Sequence, residues 1–179
     1  MATGGRAVGR VGLRAVGFDP GLADTGYAAL LGGRPVPTVL GSGVIRTAAG
    51  DALELRLERL FDETRDVLTR FAPDLLVVED VFSARAVPRT AILMGHARAV
   101  ICLAARQRRV ALLSIAPAEV KRAVTASGAA SKGQVARAVQ ALLRLTRPPR
   151  PSHVADALAL AFTGLSRVRD LGRGPGVPP

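Results

Sequence analysis

The sequence predicts a single mixed α/β domain. Three observations predict it: short apolar runs that each stop at an acidic or turn residue, longer segments with apolar residues at helical spacing, and alternation of the two kinds through the second half. The chain has 179 residues, 49% of them hydrophobic and 22% charged, with mean hydropathy +0.27. At about 150 residues per domain this amounts to one compact unit able to bury a sizeable core. Neither several domains nor wholesale disorder is expected.

Residues 14–18 form a short apolar run that ends in Asp19-Pro20-Gly21, a tight turn. Residues 27–31 read as a second strand, and Gly32-Gly33 turns it into a third over 39–45. From Leu53 to Phe71, Leu53, Leu57, Leu60, Phe61, Val67, Leu68 and Phe71 recur at helical spacing, with Glu54, Glu58, Asp62 and Arg65 between them. Pro73 breaks that helix. Residues 75–78, Leu-Leu-Val-Val, read as a strand buried on both faces and ending in Glu79-Asp80. A loop, a small-residue helix over 91–105 and a buried strand over 110–115 follow. Helices are then expected over Pro117–Thr125, 131–145 and 152–168, the last opening with a Ser cap after Pro148-Pro149-Arg150-Pro151. The domain is expected over 13–168, with flexible tails at 1–12 and 169–179.

The longest stretch without an ionisable side chain, residues 35–45, has 11 residues and two prolines. A helix crossing a bilayer needs about 20 apolar residues, so no membrane span is expected. Residues 1–10 lack the apolar core of a secretory signal, and the single cysteine, Cys102, sits in an apolar run. A cytoplasmic location fits both, and a cysteine-based zinc site does not.

The formal net charge of +11 points to a polyanionic partner, nucleic acid first. The charge is unevenly spread. Residues 1–80 hold 9 basic and 11 acidic side chains, whereas 81–179 hold 16 and 3. An acid set within an apolar segment of that second half demands a reason, and Asp156, flanked by Val154, Ala155, Ala157 and Leu158, is such an acid.

Asp19 and Glu79 each close an apolar run, so both should emerge at the carboxyl ends of buried strands, where open α/β sheets place ligands. Asp156 lies on a helix with His153 three residues earlier on the same face. Taken singly, each has a plainer reading as turn residue, strand end or helix start. Taken together, three carboxylates in one site would repel unless a cation compensates. An oxygen-rich, thiol-free set suits magnesium or manganese and, with two ions about 4 Å apart, phosphodiester hydrolysis.

The segments Gly17-Phe18-Asp19-Pro20-Gly21 with Thr25-Gly26-Tyr27, Gly41-Ser42-Gly43-Val44-Ile45-Arg46-Thr47 and Val78-Glu79-Asp80-Val81-Phe82 resemble the RuvC family of bacterial Holliday-junction resolvases. Gly95-His96-Ala97-Arg98, Glu119-Val120-Lys121, Ser131-Lys132-Gly133-Gln134-Val135 and Ala155-Asp156-Ala157-Leu158-Ala159 extend the resemblance, in order, over about residues 13–166. It implies a ribonuclease H-like fold, with a five-stranded mixed sheet flanked by helices on both faces. It also implies a homodimer that uses Mg2+, with Mn2+ able to substitute and two ions per active site. The implied catalytic and metal-binding residues are Asp19, Glu79, His153 and Asp156. His153 stands where the family often has Asp, and Asp80 follows Glu79 where Gln is commoner; no catalytic role is expected for Asp80.

For DNA, the resemblance points to Phe82 as a ring wedged against bases and to Lys121 and Lys132, the only two lysines beside 23 arginines. Arg85 and Arg89 are candidate phosphate contacts. The expected substrate is four-way junction DNA, cut symmetrically on two strands of like polarity, with the RuvA and RuvB branch-migration complex as a possible partner. A two-fold dimer presents two identical sites to such a junction. Gly95, Ala97, Ala99 and Ala104 make the 91–105 helix the candidate interface, against packing on its own sheet. Two rivals stand beside this reading: a ribonuclease H-like nuclease for structured RNA, and a catalytically silent junction-binding protein.

Overall fold

The computed structural model describes residues 12–80 and 88–171. Five strands, β1 (Arg14–Asp19), β2 (Asp24–Leu31), β3 (Thr38–Arg46), β4 (Leu75–Glu79) and β5 (Ala111–Ile115), form one sheet in the order β3-β2-β1-β4-β5. The first three pair antiparallel, while β1–β4 and β4–β5 are parallel, so the sheet is mixed as expected. Five helices cover it: α1 (Leu53–Phe71), α2 (Pro88–Gln107), α3 (Pro117–Thr125), α4 (Lys132–Leu142) and α5 (Ser152–Leu171).

Alternation along the strands divides the core in two. Val16, Phe18, Leu76 and Val78 face α1 and α2, packing with Leu60, Leu68, Phe71, Ala97 and Ile101. Ala15, Leu75 and Val77 face the other way, with Leu158 and Ala161 of α5, Val120 of α3 and Val139 of α4. By the same period of two, Asp19 and Glu79 fall on the α5 side, next in register after the paired Phe18 and Val78.

Four boundaries differ from the sequence reading by three residues; α2 begins at Pro88, ahead of the expected 91. β2 begins at Asp24, because Thr25 and Gly26 already pair with Ile45 and Val44 of β3. α4 stops at Leu142, where Arg144 turns left-handed and the Leu145 amide bonds back to the Gln140 carbonyl; Ser131 caps it in a reciprocal capping box with Gln134. α5 runs to Leu171, past the expected 168. The expected tails lie largely outside the described residues.

α2 settles the choice posed by its small residues. Ala97 and Ala104 are fully buried against the chain's own sheet, so they serve internal packing. Ile92 and Leu103 point the other way, 59% and 53% exposed. They are 11 residues apart, three helical turns, on one outward stripe with exposed Ala99.

α5 sits unusually low on the sheet. A Cβ at Gly17 would overlap the Ala157 carbonyl, and one at Gly26 the His153 carbonyl, so two missing methyls set the height of the helix. Gly26→Ala should therefore lift the start of α5 and destabilise the fold by about 1–3 kcal/mol, as overpacking does. Thermal or denaturant unfolding checks this, and an unchanged midpoint would show that α5 has room to spare.

Candidate active site

A cleft of about 590 Å³ opens at the carboxyl ends of β1 and β4. Asp19, Glu79, His153 and Asp156 all line it, together with Lys121 and Lys132. Five elements, β1, β4, α3, α4 and α5, thus deliver their polar groups to one place. β1 and β4 supply two carboxylates side by side, as neighbouring strands about 4.8 Å apart must. α5 brings His153 and Asp156 onto them because Gly17 and Gly26 let it approach. The Lys121 side of α3 and the start of α4 close the other wall.

His153 Nδ1 lies 2.7 Å from Asp19 Oδ2. An ionised carboxylate can only accept, so Nδ1 carries the proton of this bond and Nε2 is left free to accept one or to ligate a cation.

The cleft is electrostatically tense. Burial, then the charges of Asp19 and Asp156, push the Glu79 carboxyl from 4.5 up to about 7, against the opposing pull of Lys121 and Lys132. Asp156 is also raised, by burial and then by Asp19, with Lys132, His153 and Lys121 pulling it down. Among the described residues no three His, Cys, Asp or Glu side chains converge closely enough to hold an ion as they stand. The donors fit a hard divalent cation: oxygens in a thiol-free cleft, with Glu79 and Asp156 made harder to ionise by burial and by their acidic neighbours, which is the strain a bound cation relieves.

The walls are braced by residues to which the sequence reading gave no role. The Thr25 hydroxyl donates to the Gly21 carbonyl at 2.6 Å and accepts from the Gly21 amide at 3.3 Å, closing the turn after Asp19. Thr47 donates to the Leu22 carbonyl at 2.5 Å and accepts from Arg56 Nε at 2.9 Å, so β3 and α1 hold the same turn from outside. Arg98 reaches from α2 to the Glu79 carbonyl (3.2 Å), Ser114 Oγ (2.7 Å) and Asp80 (3.5 Å). The signal for Arg98 was a lone guanidinium in a run of small apolar residues. Asp80 thereby gains a partner in Arg98. Arg167 Nη2 meets Glu119 at 2.7 Å and ties α3 to α5, two residues before Lys121 enters the cleft.

Of the residues expected to meet DNA, Lys121 and Lys132 are in the cleft. Phe82 and Arg85 lie outside the described residues. Arg89 falls in the first turn of α2, with its side chain outside them.

Residues 15–164 match the family model of the crossover junction endodeoxyribonuclease RuvC. A protein of that name from Rhodopirellula baltica is 42% identical over 149 residues, covering 83% of this chain and 84% of its own. One from Streptomyces avermitilis is 43% identical over 157 residues, 87% and 88% of the two chains. Among solved structures, Thermus thermophilus RuvC superposes with a TM-score of 0.80 at 32% identity, covering 88% of this chain and 96% of that one. The same protein in complex with a Holliday junction substrate also gives 0.80, at 30% identity and the same coverage.

A carboxyl with a folded pKa above its unfolded one binds a proton on folding, so stability falls as pH rises between 4.5 and about 7. In the presence of chelator, Glu79→Gln should therefore melt higher than the parent at pH 8 and lose that advantage below pH 4.5. Melting curves across pH check this; a constant difference would show that Glu79 ionises without strain.

Proposed function

The chain belongs to the RuvC family of crossover junction endodeoxyribonucleases, and from that premise we propose that it resolves Holliday junctions at the cleft formed by Asp19, Glu79, His153 and Asp156. The observation that carries the reading is the meeting of Asp19 and Glu79 on adjacent strands with the start of α5, in a cleft also lined by both lysines.

Asp19, Glu79 and Asp156 would hold the divalent cations, two per site, with His153 as the fourth group. Magnesium, or manganese in its place, would supply charge neutralisation at the scissile phosphate and its leaving 3′ oxygen. The chain's own residues do the rest. Lys121 and Lys132 bind the phosphodiester as mobile point charges. His153, its Nδ1–H committed to Asp19, keeps Nε2 turned to accept the proton of the attacking water or to ligate. Arg98 fixes the end of β4 from behind, so that Glu79 does not recoil from its neighbours. Phe82, Arg85 and Arg89 follow Glu79 in sequence, and we assign them to junction contacts on the strength of the family match.

A junction must be cut on two strands of like polarity, and one cleft cuts one strand. We therefore propose a two-fold dimer. Its interface is the outward stripe of α2, where Ile92 and Leu103 expose apolar surface left uncovered by the described residues. Family membership alone supports docking to RuvA and RuvB, and work on chromosomal DNA supports a cytoplasmic location. Among the described residues no helix is long and apolar enough to cross a membrane. We take residues 13–168 as the nuclease domain.

Purified protein incubated with a synthetic four-way junction and with matched duplex should give paired symmetric nicks on the junction only, with magnesium and not with chelator. Asp19→Asn and Glu79→Gln should each abolish cutting by several orders of magnitude while junction binding in a gel-shift assay is retained; undiminished turnover in either would overturn the site. The double substitution Ile92→Asp with Leu103→Asp should shift the sedimentation coefficient from dimer to monomer, and a dimer that survives it places the interface elsewhere.

A further inference from the structure

A second cleft, of about 730 Å³, lies on the other side of the α5 start. Val154 and Leu158 form one wall, Val39 and Ser42 of β3 another, and the segment from Leu145 to Arg150 the rim. Two arginines of that rim, Arg147 and Arg150, are exposed, and neither has an ion-pair partner among the described residues. The only anion-rich ligand implied by the reading above is the junction itself, and this cleft adjoins its cutting site through a shared helix. His153 and Asp156 face the first cleft, Val154 and Leu158 the second.

The spacing suits a continuous strand. Three residues separate Arg150 from His153, at most about 10 Å of chain. A DNA strand rises about 3.4 Å per nucleotide, so a backbone leaving the catalytic cleft reaches Arg150 within about three nucleotides. Guanidinium groups at the rim match phosphates, the Ser42 hydroxyl can join them, and the apolar floor of proline and valine matches the faces of deoxyriboses.

We propose that this second cleft, lined by Arg147 and Arg150, is a DNA-backbone site that holds a junction arm a few nucleotides from the scissile phosphate. It rests on the reading of the chain as a junction resolvase, and it assigns the arm to one side of α5. The contacts are to phosphate and sugar, so they position the arm without reading sequence.

The test is the salt dependence of junction binding by full-length protein in chelator, for the parent, for Arg147→Ala with Arg150→Ala, and for a control pair, Arg106→Ala with Arg108→Ala. The control arginines are also exposed but lie at the opposite edge of the sheet, where α2 runs towards β5. Losing two phosphate contacts should lower the slope of log affinity against log salt by about 1.8. The advantage of the parent over the variant should then shrink roughly tenfold between 50 and 200 mM salt. An unchanged slope, or an equal drop in the control pair, overturns the proposal while leaving the resolvase reading intact. A parent that neither binds nor cuts junctions overturns both.

Discussion

Like charges brought together away from water repel, and this protein brings three carboxyl groups to the mouth of one cleft. Much of the remaining architecture can be understood as the means of holding them there. Two of the three sit on adjacent parallel strands in the middle of the sheet, where ladder hydrogen bonds fix their separation. The third rides on a helix whose height over the sheet is fixed by two glycines. Thr25, Thr47 and Arg56 clamp the turn behind Asp19, and Arg98 clamps the strand end behind Glu79. The ordinary preference of such acids would be to separate or to take up protons, and the raised pKa of Glu79 expresses the second of these.

The division of the core makes the arrangement workable. One face of the sheet carries α1 and α2, the other α3, α4 and α5; the cleft opens at the strand ends between them, with Leu93 and Met94 of α2 on one wall and Lys121, Lys132, His153 and Asp156 on the other. Strand alternation sends Asp19 and Glu79 to the second face, while Phe18 and Val78, one residue earlier, anchor the first. A slip of one residue in either strand would exchange an acid for an apolar side chain. The hydrophobic register therefore guards the catalytic one, and the outward side of α2 is left available for association.

Much of this was legible in the sequence, for a physical reason. An apolar run that stops at an acid announces a strand end, so Asp19 and Glu79 could be read from local pattern, as could Asp156 within an apolar helix. The sheet order was not legible from local pattern. It depends on which strands pair, and it came instead from the resemblance carried by the ordered motifs. The role of Gly26 was hidden because it depends on the His153 carbonyl, more than a hundred residues away. Arg98 was hidden likewise, since its partners at Glu79 and Ser114 are neighbours only after folding. The small residues of α2 misled for the opposite reason: Ala97 suits a close helix approach and a packed interior equally well, and composition cannot tell the two apart.

The near-total replacement of lysine by arginine in this chain has one further consequence. Its only two ε-amines, Lys121 and Lys132, stand in the catalytic cleft. Amine acylation, by reagents or by cellular lysine acetylation, therefore has no neutral side-chain target here: apart from the amino terminus, every amine lines the same cleft, and each event removes a positive charge from beside its carboxylates.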